Sequence, residues 1–494
     1  MWLTQLLERN RQCRPGRTAL VDEERSVTWG EFHDRTLELA RGLAELGIER
    51  GDRVAVLSKD RIEVLESYFA LARLGALFVP LNHSLAEPEV AGIIERVGAV
   101  AVIGESELLD RHPVLPASVR IRLALDKPAF EALGTLAAER DLPEVADTDP
   151  IAVLHTSATT GQAKGVTVDS GSFRAIALGW LVMARPTDDI VMVNCCPLYH
   201  GSMVVSLTYL AAGATVVLMP GFTPQRALTA VERHRATHMW LVPQMLRFML
   251  QAKASHRTDL SCLREILYGA APMPLDVYAD AVERLGCGFR QVYGMTEVGG
   301  PFVTLGPDEH PAPGDVTARI PCGRVVPGMS ARAVDGCGRE LPPGEIGEIV
   351  VRGPGVMRGY WNDPQATREI TLDGWIRTGD LGFMDDEGRI SLVDRTKDVI
   401  IRAGQNVYPS EIERALLTHP AVRDAAVVGM PDEDYGEVPL AYVVPEPGVD
   451  PGAAALLGHV KGLLAPYKWP RRVEFIEQVP RNPAGKIVKK LLRA

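Results

Sequence analysis

The chain has 494 residues, 46% hydrophobic and 23% charged, with a formal net charge of −10 and seven cysteines. That length predicts two or more domains. Net acidity without a long basic run excludes the electrostatic footprint of a nucleic-acid binder. An odd cysteine count with no C-x-x-C pair supplies neither a disulfide framework nor a zinc signature, and reduced thiols fit a cytoplasmic enzyme.

The first ten residues carry charges too early, and too short an apolar run, for a signal peptide. Helical patterns over Trp29–Leu46, Arg61–Leu74 and Glu87–Arg96 alternate with strand-like runs at Arg53–Leu57, Val100–Ile103, Ile151–Leu154 and Thr215–Leu218. The alternation predicts layered α/β packing around a largely parallel sheet. Ile190–Gln225 has no Asp, Glu, Lys or Arg, but Asn194, Pro197, His200, Gly201, Gly213 and Pro220 interrupt it. It is expected as buried strand, loop and helix, not as a membrane span. Leu341–Asp394 has short strands broken by Gly and Pro (Glu348–Arg352, Gly382–Met384, Arg389–Val393), which suggests a small antiparallel barrel or meander. The last hundred residues mix strands (Ala425–Gly429, Leu440–Val444, Arg472–Ile476) with helices (Glu411–Leu417, Ala454–Leu464). The charged run Asp394–Asp398 is the expected boundary between these halves.

Four segments carry chemistry. His155–Val166 offers the hydroxyls of Thr156, Ser157, Thr159 and Thr160, the glycines Gly161 and Gly165, and Lys164. Hydroxyls and bare backbone N–H groups can surround phosphate oxygens, and glycine lets the backbone approach. It is not a Walker loop, because Lys164 is followed by glycine and not by a hydroxyl residue for Mg²⁺. Its alternative is a polar surface turn. Tyr293–Glu297 sets a hydroxyl beside a carboxylate on a glycine-rich turn, a pairing that can hold a phosphate and its Mg²⁺, or simply cap a helix. Trp375–Asp380 ends in an Asp after a Gly turn, able to accept two ribose hydroxyls or to be only a turn. Pro480–Lys486 presents Lys486 on a Pro/Gly-shaped turn, or as an exposed tail lysine.

In this order, the segments resemble the adenylate-forming superfamily of acyl-CoA synthetases, aryl-CoA ligases, luciferases and peptide-synthetase adenylation domains, most of all an acyl- or aryl-CoA ligase. The resemblance runs from Thr28-Trp29 to Gly485-Lys486. It includes Pro197–Gly201, Gly269–Pro272, Thr378–Asp380, Asp394–Asp398 and Gly404–Glu413. It implies an α/β fold, α+β overall. A large N-terminal adenylation domain of layered sheets with a β-barrel-like subdomain (1–394) is followed by a hinge (395–398) and a small mobile lid (399–494).

The resemblance also implies roles. Thr156, Ser157, Thr159, Thr160, Gly161 and Lys164 embrace the β- and γ-phosphates of ATP. Gly269, Ala270 and Ala271 line the adenine, Tyr293 stacks on it, and Gly294 and Met295 complete the nucleotide segment. Thr296 holds the α-phosphate, Glu297 binds Mg²⁺, Asp380 and Arg395 fix the ribose, Lys397 is the hinge residue, and Lys486 reaches the α-phosphate. Tyr199, His200, Gly201, Ser202, Met203, Val298, Gly299 and Gly300 form the acyl pocket. His200 lies near the reacting carboxylate, its alternative being a hydrogen-bonded core histidine. The segment near Gly404 forms the CoA channel. The expected reaction turns a carboxylic acid, ATP and CoA into acyl- or aryl-CoA through acyl-AMP. It involves no nucleic acid and no integral membrane association, in a monomer or homodimer.

The alternatives are adenylation with another acceptor (carrier-protein loading, or nitrite activation and diazotisation of an aryl amine) and a nucleotide sensor without catalysis. Amino-acid activation is disfavoured, because no Asp lies in Tyr199–Met203. Arg247 is expected as a solvated helix-face residue, as are the lid's Lys468, Arg471 and Arg472. The chain departs from the family pattern at Ala158 and Ala163, in place of glycine and proline. It departs again at Arg402-Ala403, in place of Ser-Gly, and at Gln405, in place of Glu.

Overall fold

The structure, a computed structural model, describes the chain except residues 137–140, 157–162, 314, 316–319, 482–486 and 494, and gives only the backbone of residues 134–136, 200 and 256. The described residues divide into two compact units: Met1–Ser330 with Arg352–Thr371, and Ala331–Val351 with Leu372–Ala494. The expected hinge, 395–398, lies inside the second.

The first unit holds two large sheets. In the nine-stranded sheet, six consecutive strands run parallel: Gly288–Met295, Glu265–Gly269, His238–Leu241, Val191–Asn194, Thr215–Leu218 and Thr18–Val21. Antiparallel strands Gly300–Leu305 and Ser26–Thr28 flank them. The seven-stranded sheet is parallel from Pro150–His155 through Leu77–Leu81, Arg53–Leu57 and Ala101–Gly104 to Ile121–Ala124. Gly165–Asp169 and Gly359–Tyr360 close its other side antiparallel. The central strands read as short, continuous β-branched or apolar runs because both their faces are covered; all five residues of Leu77–Leu81 are buried.

The helices start and stop where their chemistry dictates. Thr28 caps Trp29–Glu45, accepting from the Glu31 N–H while the Glu31 carboxylate receives the Thr28 N–H, a reciprocal capping box. Ile62–Leu74 ends at Gly75, in the left-handed region. Every residue of this helix is buried, so its polar members need partners. Glu63 and Glu66 find Arg25, at 3.0 and 2.9 Å. The charge-free stretch from Ile190 resolves into the strand Val191–Asn194, a π-helical turn, the buried helix Met203–Ala212 and the strand Thr215–Leu218.

In the second unit, Trp375–Met384 pairs antiparallel with Gly347–Arg352 and with Ile390–Arg395. This five-stranded sheet begins earlier than the sequence suggested, with Ser330–Val334. A further five-stranded sheet is built on the long hairpin Val422–Asp432 and Gly436–Pro445. Helices Pro409–Leu417 and Ala453–Leu463 bury Ile412, Leu416, Leu456 and Val460 in one cluster with Val427 and Val443.

Candidate active site

Three sequence motifs leave one edge of the nine-stranded sheet. Gly288–Met295, Glu265–Gly269, His238–Leu241 and Val191–Asn194 are parallel, so their carboxyl ends lie together. Open α/β sheets bind ligands at that edge. Tyr293–Glu297, Gly269–Ala271 and Pro197–Gly201 all emerge there. Gly269 is required by close approach: a Cβ would stand 2.4 Å from the Val292 carbonyl oxygen and 3.3 Å from the Trp240 ring. Ala270 follows at φ +66°, a left-handed conformation costing an L-residue about 1–2 kcal/mol. Gly294 lies against the next strand, where a Cβ would come within 2.3 Å of the Gly300 oxygen. The Tyr293 ring sits 5.2 Å from Phe302.

Thr296 and Glu297 stand on a 3₁₀ turn closed by Gly299. Glu297 Oε1 accepts the Tyr360 hydroxyl at 2.8 Å. Its carboxylate has no ion pair among the described residues, and neither Oε2 nor the Thr296 hydroxyl has a hydrogen-bond partner among them. One carboxylate with an uncommitted oxygen beside an uncommitted hydroxyl suits Mg²⁺, which takes one or two carboxylates and completes its shell with phosphate and water. The donor set therefore fits the metal, although no group of three His, Cys, Asp or Glu that could hold an ion occurs among the described residues.

The expected phosphate loop connects antiparallel strands of the seven-stranded sheet, where His155 pairs with Gly165. Its neck is closed by the Thr156 N–H to the Lys164 carbonyl (3.1 Å) and the Lys164 N–H to Thr156 Oγ1 (3.4 Å). The Lys164 ammonium rests 4.8 Å from the centre of the Tyr360 ring. Ser157, Ala158, Thr159, Thr160 and Gly161 lie outside the described residues. Before the loop, burial pushes the His155 imidazole down to about 4, with a smaller contribution from Arg96. Its Nδ1 is buried without a partner among the described residues.

The segment Leu198–Ser202, expected to line an acyl pocket, is π-helical, a geometry frequent at functional sites. Side chains fix it at intervals. Asn194 Oδ1 accepts the Cys196 N–H (3.1 Å), Asp60 Oδ1 accepts the Leu198 N–H (2.9 Å), and Trp240 Nε1 donates to Ser202 Oγ (3.0 Å). The His83 ring meets Tyr199 edge-on at 5.8 Å. Gly300 abuts Val204, which brings the Met203 and Gly299-Gly300 portions of the expected pocket together. Val298 and Met203 are buried, while Gly201 is exposed. The His200 side chain lies outside the description. Asp60 is 7% exposed and has no ion pair among the described residues. Burial pushes its carboxyl up to about 8, against the lowering effect of the Leu198 N–H. A cavity of about 10 Å³, room for about one water, lies between Ser58, Asp60, Leu198 and Tyr199.

Comparison with known proteins identifies the family. Residues 7–361 match the AMP-binding enzyme family, and residues 411–486 match the AMP-binding enzyme C-terminal domain. The chain belongs to the AMP-binding enzyme family. It is 36% identical over 501 residues to a fatty acid–[acyl-carrier-protein] ligase, ScoC, of Streptomyces coeruleorubidus, covering 99% of this chain and 96% of that protein. It is 37% identical over 483 residues to a feruloyl-CoA synthase of Amycolatopsis, covering 97% and 96%. The crystal structure of ATP-bound MatB from Rhodopseudomonas palustris superposes with a TM-score of 0.91 at 30% identity, covering 99% and 98%.

Within this AMP-binding enzyme, the second unit carries the remaining expected residues. Asp380 and Arg395 pair directly across neighbouring strands, the guanidinium 2.8 Å from Asp380 Oδ1. The Thr378 hydroxyl bonds the Ile349 carbonyl (2.7 Å) and accepts the Asp380 N–H (3.1 Å), which fixes the turn that presents the acid. Lys397 stands on the 3₁₀ turn Thr396–Asp398, its ammonium pushed down by burial. Gly404 and Ala403 form a two-residue hairpin turn between Ile400–Arg402 and Gln405–Val407, at φ +80° and +50°, the geometry of a primed turn. Arg402 is occupied locally: it donates to the Tyr467 carbonyl (2.9 Å) and lies 4.9 Å from the Tyr435 ring centre. Lys486 lies outside the described residues. On either side of the undescribed residues, Arg481 and Ile487 form a bridge, Arg481 pairs with Asp424 (2.9 Å) and Lys489 with half-buried Glu413 (2.9 Å).

Three other side chains find partners that the sequence did not reveal. Arg247 pairs with Asp276 at 3.0 Å, Lys468 with Glu411 at 2.7 Å and Arg472 with Glu474 at 2.8 Å. Sequence reasoning missed Asp60, Trp240 and Tyr360. The Asp sought within Tyr199–Met203 is absent, yet Asp60 reaches that segment from 138 positions upstream.

Proposed function

We propose that the protein is an AMP-forming acid–thiol ligase that activates a carboxylic acid with ATP and passes the acyl group to coenzyme A. The observation that carries this is the convergence of Gly269–Ala271, Tyr293–Glu297 and Leu198–Ser202 at one strand edge, which offers backbone for a base, a hydroxyl and carboxylate for a phosphate, and a fixed turn for an acid. The obstacle to the first step is like-charge repulsion between the attacking carboxylate and the oxygens around the α-phosphorus. Bound Mg²⁺ would supply neutralising charge there. Thr296 orients the α-phosphate, Lys164 and the loop hydroxyls hold the departing pyrophosphate, and Asp380 with Arg395 holds the ribose. Lys486 offsets charge in the pentacoordinate transition state, and alignment replaces collision. The mixed anhydride, acyl-AMP, is then open to the CoA thiol, with the turn at Gly404 contributing to the thiol's path. His200 lines the acyl pocket and is not required as a base, because a carboxylate needs none.

The small residues Gly201, Gly299 and Gly300 beside Met203 and Val298 favour an acid with an apolar body, aryl or medium aliphatic. Incubation with ATP, CoA and a panel of such acids should yield AMP and thioester together. AMP release that never depends on CoA would overturn the CoA assignment in favour of another acceptor, such as a carrier protein. Lys486→Ala should abolish adenylation yet leave thioester formation from supplied acyl-AMP largely intact. Equal loss of both would remove Lys486 from the first step.

A further inference from the structure

We propose that Tyr360 is a positioning residue that holds the Glu297 carboxylate ready for Mg²⁺ and keeps Lys164 from pairing with it. The inference deepens, and rests on, the ligase assignment above.

Three sequence-remote segments meet at this tyrosine. Its hydroxyl donates to Glu297 Oε1 at 2.8 Å, and its ring face receives the Lys164 ammonium at 4.8 Å. Neither charged group has an ion pair among the described residues, although opposite charges so close to one side chain would be expected to meet. The aromatic ring gives each a separate anchor: a charge-assisted hydrogen bond for the carboxylate and a cation–π contact for the ammonium.

The backbone supports the same role. Gly359 pairs with Thr167 and Tyr360 with Val166, on the strand that begins immediately after Lys164. The Trp361 N–H bonds the Gly165 carbonyl at 2.7 Å, and the Met357 N–H bonds the Glu297 carbonyl at 2.8 Å. One short segment, 357–361, therefore grips Glu297 twice, by backbone and by side chain, while it is laced to the foot of the phosphate loop. The Thr367 hydroxyl accepts the Tyr360 N–H at 2.9 Å and fixes the tyrosine itself. Mg²⁺ demands near-ideal octahedral geometry, so a carboxylate held with Oε1 committed and Oε2 uncommitted is preorganised for a single inner-sphere contact. A direct Lys164–Glu297 pair would remove both groups from their tasks.

The test is calorimetric ATP titration in chelator and across a Mg²⁺ series, on wild type, Tyr360→Phe, Tyr360→Leu and Glu297→Gln. Tyr360→Phe keeps the ring and the fold. It should leave metal-free ATP affinity within about twofold of wild type, yet raise the Mg²⁺ concentration for half-maximal enhancement about tenfold, as for loss of a hydrogen bond to a charged acceptor. KM for the acid should not move. Tyr360→Leu should add a loss of metal-free ATP affinity of about threefold, as Lys164 loses its anchor. A wild-type Mg²⁺ profile in Tyr360→Phe, with Glu297→Gln losing the Mg²⁺ effect, would overturn the role of Tyr360 while sparing the metal assignment. A wild-type profile in Glu297→Gln would overturn both. Equal weakening of ATP and acid in Tyr360→Phe would reduce the tyrosine to a structural part.

Discussion

Replacing Asp60 with asparagine should make the protein more stable at neutral pH and leave its stability little changed in acid. The carboxyl is buried, unpaired among the described residues, and pushed up to about 8 from an ordinary 3.8. Between those limits the folded state binds a proton that the unfolded chain has lost, so stability falls as pH rises through the window. At pH 7, about three units above the unfolded value, the penalty is about 4 kcal/mol at roughly 1.4 kcal/mol per unit. The introduced amide would retain the oxygen that accepts the Leu198 N–H. Its own N–H groups would need the small cavity's water or cost about 1–2 kcal/mol, a term independent of pH. The diagnostic is therefore the pH dependence of the difference. Urea unfolding of both proteins at pH 4.5, 6 and 7.5 should show the variant's advantage growing by about 4 kcal/mol across the series. A difference that is flat with pH would refute the argument, because it would mean that Asp60 ionises in the folded protein as readily as in the unfolded chain.

His155 has the opposite sign. Its folded value is depressed to about 4 from 6.5, so its contribution is lost as pH falls from about 6.5 to about 4, by roughly 3 kcal/mol. Below pH 6.5 this opposes the Asp60 term, so the acid limb should steepen in Asp60→Asn and flatten again when His155→Gln is added. Ala270→Gly relieves a left-handed alanine at φ +66° and should raise the urea midpoint by the equivalent of about 1 kcal/mol after the added unfolded-state entropy. Ala403→Gly should do the same in the second unit. Trp240→Phe removes the donor to Ser202 and should raise KM for the acid severalfold with KM for ATP unchanged, read by steady-state kinetics with each substrate varied.

The strands and helices were legible because burial leaves a periodic trace. Trp29–Glu45, Ile62–Leu74 and Arg53–Leu57 fall within a residue or so of their expected ends. The motif segments were legible because glycines and hydroxyls cluster locally, and Gly269 and Gly294 turn out to stand where a Cβ has no room. What escaped notice was contact between distant positions. Asp60 reaches Leu198 across 138 residues and Tyr360 reaches Glu297 across 63, and neither leaves any period or spacing in the sequence. Partnering was equally silent. Arg402 reads as a departure in the expected channel, yet its guanidinium is spent on the carbonyls near Tyr467 and on the Tyr435 ring. Ala403 reads as part of the same departure, and only its φ of +50° shows that the turn holds it in the left-handed region.

The most direct test of acid activation through acyl-AMP is exchange of labelled pyrophosphate into ATP without CoA, repeated across the acid panel. Exchange should appear only with a substrate acid and Mg²⁺, and adding CoA should convert it into net release of AMP with thioester. Exchange independent of any acid, or thioester formed with no exchange, would contradict an acyl-adenylate intermediate.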